Sequence, residues 1–181
     1  MKKTIALLLL FCVSAAVARA QTPAAAPPQL AEMKKLDFLV GQWQGDGWIV
    51  LGPGQRRTFR QTETVQNKVG GTVLLIEGLG KGKVPGQTEE VTIHNAFAVV
   101  SYDGKANAFR WRAFRADGVE MDAAATVTER NIVWGFRDPR AGEVRFTIKL
   151  NDAGQWFEVG ELNRDGKTWF KFFEMTLQHV K

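Results

Sequence analysis

The chain has 181 residues, 45% of them hydrophobic, with 24 Lys and Arg, 19 Asp and Glu and a formal net charge of +5. Its length suits one domain with a sizeable core. A single cysteine, Cys12, excludes an internal disulfide and any site built from several thiolates.

At the N-terminus, Lys2 and Lys3 precede an apolar run from Ile5 to Val17, and Ala18-Arg19-Ala20 follows before Gln21. This is the three-part plan of a secretory signal peptide, and it predicts cleavage after Ala20 and a periplasmic or secreted protein. The run is shorter than the about 20 apolar residues a spanning helix needs. Phe11, directly before Cys12, is too bulky for the small position of a lipobox, so lipidation is not expected. Cleavage removes three of the 24 bases and none of the 19 acids, leaving 21 against 19. That near balance argues against a nucleic-acid binder, which needs a clustered basic patch to engage phosphates.

Residues 21–28 include the stretch TPAAAPP, which holds neither helix nor ladder and reads as an extended tether. A single domain is then expected over 29–181. Leu30, Met33, Leu36 and Leu39 or Val40 recur at helical spacing, predicting one short amphipathic helix that Gly41 ends. Everything beyond reads as about ten strands, at 42–50, 57–67, 72–81, 91–102, 107–115, 119–128, 131–137, 143–150, 155–163 and 167–180. The dividers are turn formers, among them Gly52-Pro53-Gly54, Pro85-Gly86, Asp103-Gly104, Asp117-Gly118, Asp138-Pro139 and Asp165-Gly166. Connections this short make antiparallel neighbours. In 143–150, Val144, Phe146, Ile148 and Leu150 alternate with Arg145, Thr147 and Lys149, so one face is buried and the other wet. The expected fold is all-β, an up-and-down barrel of about ten strands with one N-terminal helix; closure removes the exposed edges. A two-sheet sandwich is the competing arrangement.

The segment Phe38-Leu39-Val40-Gly41-Gln42-Trp43, continuing through Gly45 and Gly47, resembles the opening of the calycin barrels, which include lipocalins and fatty-acid-binding proteins. More closely it is similar to a bacterial secreted domain family of unknown function with a Phe-Leu-x-Gly-x-Trp-x-Gly-x-Gly opening. The resemblance implies that Trp43 is a structural plug at one barrel end. If Trp43 points inward, period two turns Gly45, Gly47 and Ile49 inward too, and the missing side chains are expected to leave an interior space.

Enzyme signatures are absent: there is no Gly-x-Ser-x-Gly, no His-Glu-x-x-His and no phosphate loop. Gly78, Gly80 and Gly82 lack the helix that a dinucleotide fingerprint requires. The two histidines, His94 and His179, are too few for a multi-histidine metal site. His179 shares parity with Trp169, Phe173, Met175 and Leu177, which would turn it inward. The nitrobindins, similar to this chain in broad fold, bind haem through a histidine near the C-terminus, and His179 invites that comparison. The chain lacks their Tyr-Pro element and the Pro before the histidine, so no cofactor is expected, with haem on His179 as the alternative. Glu63, in step with Phe59 and Val65, and Glu77, in step with Val73 and Leu75, are both expected to face inward. Arg110 and Arg112 alternate with Phe109, Trp111 and Ala113 and are expected on the solvent face.

The resulting expectation is non-covalent binding of a small apolar molecule, with Trp111, Trp134, Phe136 and Phe173 as walls and Glu63 as polar anchor. An envelope interaction protein, recognising a partner through the loop at 80–90, is the second reading.

Overall fold

Turn chemistry and strand alternation together decide the architecture. Asp103, Asp138 and Asp165 each turn Oδ1 back to accept two backbone N–H groups, Lys105 and Ala106 (2.9 and 3.1 Å), Arg140 and Ala141 (2.7 and 2.7 Å), and Lys167 and Thr168 (2.8 and 2.8 Å). A carboxylate held this way fixes a tight reversal without help from the core.

The computed structural model describes residues 27–180; the expected signal peptide and most of the expected tether lie outside the described residues. A helix α1 (Pro28–Met33) runs into a 3-10 segment (Lys34–Leu39), and ten strands follow. They are β1 (Gly41–Val50), β2 (Arg56–Lys68), β3 (Val73–Lys83), β4 (Glu90–Asp103), β5 (Ala108–Arg115), β6 (Glu120–Thr128), β7 (Asn131–Asp138), β8 (Gly142–Leu150), β9 (Trp156–Asn163) and β10 (Phe170–His179). Every strand pairs antiparallel with its sequence neighbours, and β1 also pairs with β10, from Trp43 opposite His179 to Ile49 opposite Phe173. The sheet is therefore a closed barrel rather than a sandwich.

The expected single helix is two structures. Met33, Leu36 and Leu39 are the buried residues of this stretch, and their spacing of three suits the three-residue turn of a 3-10 helix better than the 3.6 of an α-helix. The helix is thus α only until Met33. Gly41, with φ 136°, lies in the region that favours glycine and lets the chain swing into β1.

Two inward assignments change. On β3 the interior set is Leu74, Ile76, Gly78 and Gly80, so Glu77 is exposed. The run Val73-Leu74-Leu75-Ile76 is apolar on both faces, and parity with leucines therefore does not mark the inside. On β10 a bulge between Lys171 and Phe173 shifts the alternation. Phe172 and Phe173 both line the interior, and Trp169 lies instead under the Arg145 guanidinium, 4.0 Å from its ring centre. The expected 80–90 loop shrinks to 84–89, because β3 and β4 continue their pairing to Lys83 and Glu90.

Gly45 and Gly47 do not leave empty space. A Cβ on Gly45 would meet the backbone of Thr176 and Leu177, and one on Gly47 would meet the Phe59 ring at 2.7 Å. These glycines admit the β10 backbone and the Phe59 side chain. Gly45→Ala is expected to destabilise the barrel by about 2 kcal/mol through overpacking and to lower Tm by roughly 4–8 °C, read by thermal circular dichroism. An unchanged melt would show that the β1–β10 contact is looser than described.

Candidate functional site

The barrel has one closed and one open end. At the closed end Met33, Leu36 and Leu39 pack into the core with Trp43. The Trp43 Nε1–H donates to the Leu39 carbonyl at 2.8 Å, and its ring meets Trp156 edge-on at 5.9 Å. Trp43 thereby ties the 3-10 segment to the barrel. His179 is exposed at this same end, its ring 4.7 Å from Trp43 and its Nε2 3.4 Å from the Val40 carbonyl. It does not line the interior. It keeps the face of Trp43, its partner in the register, but lies at the barrel rim beyond Leu177, the last buried residue of β10, and is exposed there. His94, on β4, is the imidazole that lines the cavity.

Above this plug lies a cavity of about 900 Å³. Protein interiors are otherwise close-packed, so the opening needs a source, and small side chains supply it. Ala96 and Ala98 on β4 and Ala113 on β5 all line it, whereas Gly78 on β3 admits the Glu63 carboxyl and the Gln61 amide. Ala123 and Ala125 on β6 stand opposite Trp111 and Trp134 in the register, which gives the two indoles room to lie against each other. Their rings stack at 5.1 Å and 11°, and Trp134 stacks in turn on Phe146 at 4.7 Å and 15°. Offset aromatic stacking of this kind adds stability beyond the area buried. Phe136 and Phe173 continue the wall.

The deep part of the cavity is polar. Gln61 and Glu63 on β2 and Glu158 on β9 point inward and are only 1%, 5% and 8% exposed. Gln61 Nε2 donates to Glu63 Oε1 at 2.7 Å, and Trp156 Nε1 donates to Glu158 Oε2 at 3.1 Å. Gln61 Oε1, Trp111 Nε1 and Trp134 Nε1 are buried without a hydrogen-bond partner. Among the described residues neither carboxyl forms an ion pair. Burial pushes Glu63 up to about 8, against the opposing hydrogen bond from Gln61. Burial, and then the charge of Glu63, push Glu158 up to about 8 against the hydrogen bond from Trp156. At neutral pH both groups are mainly uncharged carboxylic acids, able to donate as well as accept.

The fold recurs in another protein. A crystal structure of Rv2717c from M. tuberculosis matches at a TM-score of 0.59 and 13% identity, over 87% of this chain and 100% of that one. At that identity the likeness is one of fold. No protein-family model matches the chain, and no curated protein is similar to it in sequence.

The open end is formed by the β1–β2, β5–β6, β7–β8 and β9–β10 connections together with the start of β4. Leu51 and Phe170 are exposed and line the entrance, giving it an apolar edge. Charges there are mixed: Arg115 pairs with Asp117, and Asp138 and Arg164 also line the mouth. Burial, and then Arg115, push the His94 pKa down, which keeps that imidazole neutral. No three His, Cys, Asp or Glu side chains among the described residues converge as a metal site requires.

The structure therefore brings Glu63, Trp111, Trp134, Phe136 and Phe173 to one cavity and leaves Trp43 beneath it and His179 outside it. Sequence reasoning missed Gln61, Glu158 and Phe146. The signal was present for all three, since Gln61 sits between Phe59 and Glu63 in parity, Glu158 between Trp156 and Gly160, and Phe146 between Val144 and Ile148 on the face read as buried.

The raised carboxyl pKa values carry a stability consequence. From the ordinary value of 4.5 to about 8 the folded state holds protons that the unfolded chain has released, so these groups make stability fall as pH rises through that window. The urea midpoint is expected to be lower at pH 8.5 than at pH 5.5. The doubly substituted Glu63→Gln, Glu158→Gln protein should lose most of that decline and be the more stable at pH 8.5, by a few kcal/mol in order of magnitude. Parallel pH profiles for the two proteins would contradict the assignment.

Proposed function

We propose that the barrel binds a small, largely apolar molecule non-covalently in its interior, outside the cytoplasm. The observation that carries this reading is the cavity of about 900 Å³ with aromatic walls, open at the barrel end opposite the Trp43 plug. Its size falls in the range of ligand pockets, about 300–1,000 Å³, and its few convergent polar groups are what such pockets use to orient a guest. In this reading Trp111, Trp134, Phe136 and Phe173 are contact surfaces and Glu63 is a polar anchor. The calycin-like opening supports the same class of function by analogy, and the signal-peptide pattern of residues 1–20 supports export.

Ala113 lines the cavity on β5, so a larger residue there fills space rather than displacing packed atoms. The neutral dye N-phenyl-1-naphthylamine is expected to bind one-to-one with enhanced fluorescence, and Ala113→Phe to weaken it at least tenfold while shifting Tm by only a few degrees. Failure of the dye to saturate, or indifference to the substitution, would contradict interior binding. For export, the mature protein recovered from the periplasm or medium should begin at Gln21 by intact-mass measurement. Retention of residues 1–20 on a cytoplasmic protein would reverse that part of the proposal.

A further inference from the structure

We propose that the molecule this cavity selects is an organic cation, an apolar amine whose ammonium group is received by Glu63 and Glu158. This rests on the ligand-binding function above and specifies its chemistry. Each carboxyl uses one oxygen within the protein: Glu63 Oε1 accepts from Gln61, and Glu158 Oε2 accepts from Trp156. The other oxygen of each takes part in none of the hydrogen bonds among the described residues, and Gln61 Oε1 is buried without a partner. Gln61 Oε1 is closed off against Gly80, so two acceptors remain in the deep part of the cavity, one on each acid, and a primary ammonium with its three donors serves both.

Charge points the same way. Two carboxyl groups in an apolar enclosure without a basic partner are costly as anions and are relieved by a cation brought with the ligand. The other titratable groups facing the cavity do not supply that cation. His94 on β4 is held towards its neutral form, Arg115 at the end of β5 is engaged by Asp117, and Arg164 after β9 lies at the mouth, where Asp138 on β7 also lines the opening. An anionic guest would meet two acids and no free base in the interior. The aromatic walls are compatible with a cation, which the negative faces of Trp and Phe rings attract. Because the acids are mainly protonated when the cavity is empty, an ammonium must displace a proton as it binds. Its affinity therefore rises from pH 6 towards pH 8.5.

The test uses one ring in three charge states: 1-naphthylmethylamine, its neutral isostere 1-ethylnaphthalene, and 1-naphthylacetate. These are titrated calorimetrically into the mature protein at pH 8 in phosphate and in Tris, whose different protonation enthalpies report proton release. The ammonium probe is expected to bind at least tenfold more tightly than the neutral one and to release about one proton, and the anion to bind weakest. In the Glu63→Gln, Glu158→Gln protein the preference and the proton release should vanish while 1-ethylnaphthalene still binds, which also shows that the variant is folded. Equal affinities for amine and isostere, or tightest binding of the anion, would overturn the cation assignment and leave interior ligand binding standing. If none of the three probes binds and N-phenyl-1-naphthylamine also fails, both readings fall together.

Discussion

The pairing of β1 with β10 is the contact on which the rest of this structure depends. Nine of the ten strand pairings join neighbours in sequence, and this one joins residues near opposite ends of the described chain. Without it the sheet would have two open edges and no inside. The seam requires close backbone approach, which Gly45 provides opposite Thr176 and Leu177, while Gly47 accommodates the ring of Phe59. The interior is uneven as a result. Phe59 and Phe173 stack near the seam at 5.9 Å, whereas the alanines of β4 and β5 leave room on the opposite side.

That room is occupied at its deep end by groups that core packing alone would not select. Two acids and an amide with an unpartnered oxygen occupy positions where leucines of similar size would avoid the cost of desolvation. Such groups persist where they serve something other than stability, and strained or costly local choices tend to gather at functional sites. The plug beneath them is ordinary by contrast. Met33, Leu36, Leu39, Trp156 and Leu177 are almost wholly buried, and the one polar atom of Trp43 is satisfied. Stability is concentrated at one end and chemistry in the middle.

Much of the fold was legible because turn residues and alternation are local signals. All ten expected strands exist, with boundaries within three residues of those read from the sequence. What failed was the sense of inside and outside wherever alternation was ambiguous or broken. Glu77 lies in a segment apolar on both faces, and Trp169 lies on the far side of a bulge whose position nothing in the sequence marks. Glu63 was legible because Phe59 and Val65 flank it in step. Glu158 had equivalent neighbours, but the absence of a basic partner for either acid is a property of ten strands wrapped together. The cavity itself was anticipated from the wrong residues, since the glycines of β1 serve the seam and small residues on other strands make the space.

The plug at the closed end has a consequence for exchange. A vessel with a single mouth is emptied along the path by which it is filled, so an incoming molecule cannot push a resident out through the far side. Replacement would then have to be sequential: the resident leaves, the cavity stands vacant, and the newcomer enters. For any guest held in this interior, the rate of replacement would be set by the resident's own departure past the mouth connections and would not increase with the concentration of its competitor.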